Sequence, residues 1–253
     1  VSGLVSRGGR PRRRDDAGMS LTELLVTMMI MSVVVIAATS LAIGFARTNA
    51  ANVTRQDQID TARMTSESMS KLIRAAVKPS QLTTSCAGCV ADAFIKAEPF
   101  VVQFYANINN PGNSVGPSRV TYTVASTGPQ AGELVENVQR PDSNIPTGSG
   151  YQYCDATAPG ATADCKARLA TRVVARDVVT AEGPLLKYYD EAGLVMTPPV
   201  GGSLSASELE RVLAIELSVR IQADAAYQAG STTYIQRIML PNSQAVLQGK
   251  DTP

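Results

Sequence analysis

The chain has 253 residues, a net charge of +1, four Cys, and neither His nor Trp. Without His it lacks the commonest general base and the commonest zinc ligand, and a near-neutral balance gives no global electrostatic attraction to nucleic acid. The length accommodates a membrane span plus one soluble domain of ordinary size.

Residues 1–18 hold five Arg (Arg7, Arg10, Arg12, Arg13, Arg14) against Asp15 and Asp16, with no apolar periodicity. Without them the net charge falls from +1 to about −2. Residues 19–45 follow as a mostly apolar run in which Glu23, near the start, is the one charge. Such a run is long enough to cross a bilayer, and a single span must be helical because only a helix satisfies its own backbone in lipid. The basic flank predicts an N-in, C-out orientation. The run is too long for a secretory h-region and no A-x-A-like site follows it. A carboxylate at the edge of a span is expensive and usually functional.

Residues 46–78 read as an amphipathic continuation. Ile59, Ala62, Ser66, Met69, Ile73 and Ala76 recur in steps of three and four, with Arg55, Asp57, Arg63, Glu67, Lys71 and Arg74 on the polar side. Pro79 predicts an end near Val77, giving a helix about 90 Å long from Met19 at 1.5 Å per residue. Residues 79–240 read as an extracytoplasmic β-rich domain. Residues 80–92 form a loop with Cys86 and Cys89, after which the hydrophobic period changes to two. Strands are expected at 100–105, 119–125, 133–139, 170–180, 185–189, 211–222 and 232–240. In the sixth of these, Leu213, Ile215, Leu217, Val219 and Ile221 face one way. Residues 107–117, 141–150 and 197–207 are turn-rich, 151–164 is a loop region, and 241–253 is a polar tail. One long helix followed by about six to eight strands predicts an α+β domain whose sheet lies on the 59–76 stripe.

Gly18, the Glu five residues into the chain counted from Met19, and the uninterrupted span together resemble the leader of type IV prepilins and type II secretion pseudopilins. The resemblance implies a pilin-like fold, cleavage between Gly18 and Met19 by a prepilin peptidase, and N-methylation of Met19. It also implies that Glu23 pairs with the amine of a neighbouring subunit during assembly. The implied partners are the prepilin peptidase, other minor pilins, a major pilin, the platform protein and membrane lipid; the near-neutral charge predicts no nucleic acid, and the lack of a binding motif predicts no cofactor. The chain departs from the family's commonest pattern in having Met19 where Phe is usual, and in lacking the mid-span Pro of many major pilins. The absent Pro predicts an unkinked helix. In the C-terminal half, Pro184-Leu-Leu-Lys-Tyr188-Tyr189-Asp190-Glu191-Ala-Gly193, followed by two apolar strands, looks like the larger minor pilins and the J-type minor pseudopilin.

Four Cys in an extracytoplasmic segment favour disulfides, and they allow three connectivities. The spacing suggests Cys86–Cys89 and Cys154–Cys165, with crossed pairings as alternatives. A four-Cys zinc site and a thioredoxin-like role for Cys86-Ala-Gly-Cys89 fit the spacing less well, the second pair being too far apart and the first following a helix. No G-x-S-x-G, H-E-x-x-H, P-loop or EF-hand pattern is present. Asp190 and Glu191 read as turn residues rather than an acid–base pair. Tyr151, Tyr153, Tyr188 and Tyr189 read as sheet packing, with a binding surface as the alternative. A plain membrane-anchored extracellular binding domain and a DNA-uptake pilus component are the rival functions.

Overall fold

The computed structural model describes residues 18–82, 92–223 and 230–240. It divides into two compact units, residues 1–49 and 50–253. Helix α1 (Leu21–Arg74) is continuous over 54 residues and contributes to both. In the first unit residues 18–49 are almost entirely exposed, including the large apolar side chains from Met19 to Phe45. Among the described residues α1 is the one helix long and apolar enough to cross a membrane.

In the second unit, α1 buries Gln58, Ala62, Thr65, Ser66, Met69, Ser70 and Ile73. Small residues make up much of that stripe, with Met69 and Ile73 as its large apolar members. Two corrections to the expected helix follow. Ile59 is 41% exposed, and Gln58 occupies the buried position beside it. The helix also stops at Arg74 rather than near Val77. The Ala75 carbonyl accepts from Asn107 (3.0 Å) and Val77 N–H donates to Tyr105 (2.9 Å), so the chain leaves the helix to pair with a strand as Ala76 bridges Ala106.

Nine strands are described, and they form two sheets rather than one. The first is an antiparallel meander, β1 (Phe94–Ala97), β2 (Val101–Ala106), β3 (Ser118–Val124), β4 (Leu134–Gln139) and β5 (Leu169–Ala175), in that spatial order. A short α2 (Ala163–Ala167) precedes β5. The second sheet contains β6 (Leu186–Tyr189), β7 (Val195–Met196), β8 (Ala214–Ile221) and β9 (Thr232–Met239), in the order β7-β6-β8-β9, with α3 (Ala206–Leu209) before β8. The strand expected over 170–180 ends at Ala175, and Val178 then makes a single bridge to Ile221 of the second sheet. Further links join the sheets: Leu186 N–H donates to Pro99 (3.1 Å), the Tyr188 hydroxyl donates to Glu98 (2.8 Å), and Leu204 N–H donates to Ala97 (3.0 Å).

One continuous core results. It joins Ala62, Met69 and Ile73 of α1 to Phe104, Tyr122, Leu134, Tyr188, Ile215, Leu217 and Ile238 from both sheets. Each fully buried large side chain contributes about 1.5–3 kcal/mol. As expected, Ile215, Leu217, Val219 and Ile221 are all buried. Between helix and sheet lies one polar cluster. Buried Glu136 accepts from the Tyr122 hydroxyl (2.6 Å) and from Arg172 (2.8 and 3.1 Å), which also donates to Ser68 on α1 (2.9 Å). Burial, then the bond to Glu136, raises the Tyr122 pKa far above its ordinary value.

Candidate functional site

The N-terminal segment is organised by Ser20. Its carbonyl accepts from the N–H groups of Glu23 (3.0 Å) and Leu24 (3.1 Å), and its hydroxyl accepts from Glu23 N–H (3.3 Å). Ser20 therefore stands at the N-cap, with Glu23 in the first helical turn, where a negative charge complements the helix dipole. Glu23 has this local role in addition to any intermolecular one. Gly18 lies just ahead. A Cβ there would meet nothing within 4 Å, and the backbone is outside the left-handed region. The fold gives no reason for a glycine at this position. Met19 is 62% exposed.

Further along, the hydroxyls of Thr27, Ser32, Thr39 and Thr48 donate to the carbonyls of Leu24 (2.8 Å), Met29 (2.7 Å), Val35 (2.7 Å) and Gly44 (3.0 Å). Each is satisfied within the helix, as an apolar environment demands.

The tyrosine-rich turn has a structural explanation. Asp190 is 6% exposed. Its Oδ1 accepts from Ala192 (3.0 Å) and Leu194 (2.9 Å) N–H, and Oδ2 meets Arg211 (2.8 Å). Gly193 holds φ +75° to close the turn. Tyr188 is fully buried, and the Tyr189 hydroxyl donates to Glu216 (3.0 Å) beneath the Arg237 guanidinium, 4.0 Å from the ring centre. Burial works against the Glu216 charge, but hydrogen bonds from Arg237, Tyr189 and Lys187 outweigh it and hold the carboxyl below its usual range.

Cys154 and Cys165 are bonded, with Cα atoms 6.0 Å apart. The crossed connectivities and a four-Cys zinc site are thereby removed. Cys86 and Cys89 lie outside the described residues. The disulfide closes the long β4–β5 connection. There the Tyr153 hydroxyl donates to Pro117 (2.6 Å), Arg119 lies over the Tyr153 ring, and Asp142 pairs with Arg168 (3.1 Å). Tyr151 is partly buried in the same connection, against Gly116. Sequence reasoning singled out the cysteines and tyrosines and missed these partners, because the partners lie far away in the chain.

Among the described residues no group of three or more His, Cys, Asp or Glu is placed to hold a metal ion. A groove of about 710 Å³ lies in the second unit beside Val53, Asp57, Gln58, Val173, Arg176 and Asp177.

The architecture defines an α+β protein with a pilin-like plan, one long N-terminal helix packed on antiparallel sheets. Residues 13–39 match the family model for the prokaryotic N-terminal methylation motif. No curated protein and no solved structure matches the chain. The match covers Gly18, Met19 and Glu23 and supports the type IV prepilin and pseudopilin family. It implies processing by a prepilin peptidase and assembly with other pilins, and it points to a structural subunit rather than an enzyme.

Proposed function

We propose that this chain is a minor pilin or pseudopilin, inserted N-in, cut between Gly18 and Met19, methylated on Met19, and then assembled through its N-terminal helix into a pilus or pseudopilus. The observation that carries the reading is the methylation motif at residues 13–39, in which Gly18 and Glu23 stand in register with the start of the span. The geometry supports it from another side: glycine at position 18 meets no demand of the fold, so recognition by a peptidase supplies the missing reason.

On this reading the exposed apolar surface of residues 19–45 leaves lipid for an equally apolar bundle of neighbouring helices. The Glu23 carboxylate meets the Met19 amine of a neighbouring subunit, where low dielectric makes the attraction strong and an unpaired charge costly. A second unit of 204 residues, Ala50–Pro253, is bulky to repeat along a shaft and favours a tip or initiating position. The tyrosine-rich turn and the two long strands β8 and β9 that follow it support kinship with the J-type minor pseudopilin. Partners would be the peptidase, other minor pilins, the major pilin and the platform protein.

The test is mass spectrometry of the N-terminus of membrane-extracted protein, with and without a co-expressed prepilin peptidase. The expected product begins at methylated Met19 and is lost in Gly18→Leu. An intact leader in the presence of active peptidase would overturn the reading and favour a membrane-anchored extracellular domain.

A further inference from the structure

The outward face of the first sheet carries amides and hydroxyls where charges are usual. The registers align Gln103, Thr121, Asn137 and Thr171 in one row across β2, β3, β4 and β5. Directly paired residues share a face, and the sequence neighbours Phe104, Val120 and Glu136 are buried on the opposite one. The row is tied within itself: Gln103 Nε2 donates to Thr121 Oγ1 (2.9 Å) and the Thr171 hydroxyl donates to Asn137 Oδ1 (2.7 Å). The Gln103 Oε1 acceptor, the Thr121 hydroxyl proton and the Asn137 amide donors are left without a partner among the described residues. The next row sets Val101, Val135 and Val173 around Thr123. Neither row holds a charged side chain. At the borders Lys96 is paired with Glu98 (2.8 Å) and Arg176 with Glu133 (3.1 Å). The second sheet differs: its outward face carries Lys187, Glu216 and Arg237 in one row of ion pairs. Beyond the amide row, on the side away from the valines, the β4–β5 connection forms a ledge. Its Tyr153 ring lies 5.8 Å from that of Tyr105, and its Cys154 carbonyl accepts from Gln139 Nε2.

We propose that this face binds a neutral polysaccharide, extended across the strands along the amide row. Charge, hydrogen-bonding chemistry and spacing select that ligand together. Sugar hydroxyls both donate and accept, which matches the mixture of free groups on Gln103, Thr121 and Asn137. An anionic chain, whether nucleic acid or acidic polysaccharide, would find no cation in either row to offset the loss of its hydration. Neighbouring strands lie about 4.8 Å apart, close to the length of one sugar ring, so successive sugars meet successive side chains of the row. The C–H face of each ring then rests on the valine row, and the Tyr105–Tyr153 ledge bounds the chain on its other side. The binding needs neither leader cleavage nor assembly, so its failure would leave the pilin reading standing.

The test is calorimetric titration of the full chain, solubilised in a detergent without a sugar head group, with cellohexaose, chitohexaose and hexagalacturonate. At least one of the two neutral hexamers should bind saturably, and its dimer should bind roughly tenfold more weakly, because a dimer spans only part of the row. Asn137→Asp and Thr171→Glu each place a carboxylate in the row at an outward position and should weaken the hexamer roughly tenfold. Ile235→Asn, on the exposed face of the second sheet, should leave binding unchanged. An unaltered melting temperature and an intact Cys154–Cys165 bond report that each variant is folded. No saturation by either neutral hexamer would overturn the proposal. So would equal affinity for hexagalacturonate, or binding that survives both Asn137→Asp and Thr171→Glu, because the ligand would then lie elsewhere.

Discussion

Gln58 shows how a buried polar residue can define a fold. Its side chain is 1% exposed, and its amide is oriented so that the NH₂ donates to Thr232 Oγ1 (2.9 Å) and Gly230 O (3.1 Å) while its oxygen accepts from Ala223 N–H (3.0 Å). One side chain on α1 thus ties together both ends of the β8–β9 connection. Gln58→Ala leaves buried backbone groups unpaired and should lower unfolding free energy by about 2–4 kcal/mol, whereas Arg55→Ala, on the exposed face, should change it by less than about 0.5 kcal/mol. Denaturant titration of the detergent-solubilised chain checks both, and equal effects would contradict the clamp. The position was not legible in the sequence. An apolar-stripe rule chooses Ile59 over its neighbour, because it cannot see hydrogen-bond partners lying more than a hundred residues away.

At the level of elements, the face that α1 turns to the sheets is built largely of small side chains, Ala62, Thr65, Ser66 and Ser70, rather than of hydrophobic area. Among the described residues, the buried hydroxyls of Ser66 and Ser70 have no hydrogen-bond partner. Replacing either with Ala keeps the small volume and removes an unsatisfied group, so each variant should be neutral or more stable by up to about 1 kcal/mol. Ser66→Leu should overpack the interface and lose about 1–3 kcal/mol. Melting temperatures of the three variants decide the matter, and a large loss in Ser66→Ala would reveal a hydrogen bond. Strands with strict alternation were readable from the chain, β2 and β3 above all, because period-two burial is written locally. β7 was not, having only two residues, and neither was β1, whose four residues bury both ends and show no alternation. The helix end was misplaced by a few residues because pairing of Ala76 with Ala106 competes with another turn of helix.

For the molecule as a whole, the buried tyrosines set a limit at high pH. Tyr122, Tyr153 and Tyr188 all have phenol pKa values raised, in each case chiefly by burial. An unfolded tyrosine ionises near pH 10, so above that point the native state binds more protons than the unfolded state and stability falls as pH rises. Below it this contribution is constant. The midpoint of thermal unfolding should hold level up to about pH 10 and then drop, with the slower tyrosinate absorbance appearing together with loss of structure. Complete tyrosinate formation in a protein that keeps its melting temperature would refute this. The division of strands between two sheets was invisible in the sequence, since each strand there looks alike and only long-range pairing sorts them. The N-terminal methylation motif was the most legible part, because its information lies in the local spacing of residues 13–39.

The junction after α1 also has a mechanical meaning. Beyond Arg74 the backbone is fastened to β2 by the paired bonds Val77 N–H to Tyr105 and Asn107 N–H to Ala75, at 2.9 and 3.0 Å, around the Ala76–Ala106 bridge. A tensile load carried down the helix arrives at that clasp and is handed to β2, which is held along its length by β3. The helix is thus coupled to the globular unit as a tow-bar is to a chassis. The buried stretch from Gln58 to Ile73 takes the load first, and this pair of bonds is the tie behind it.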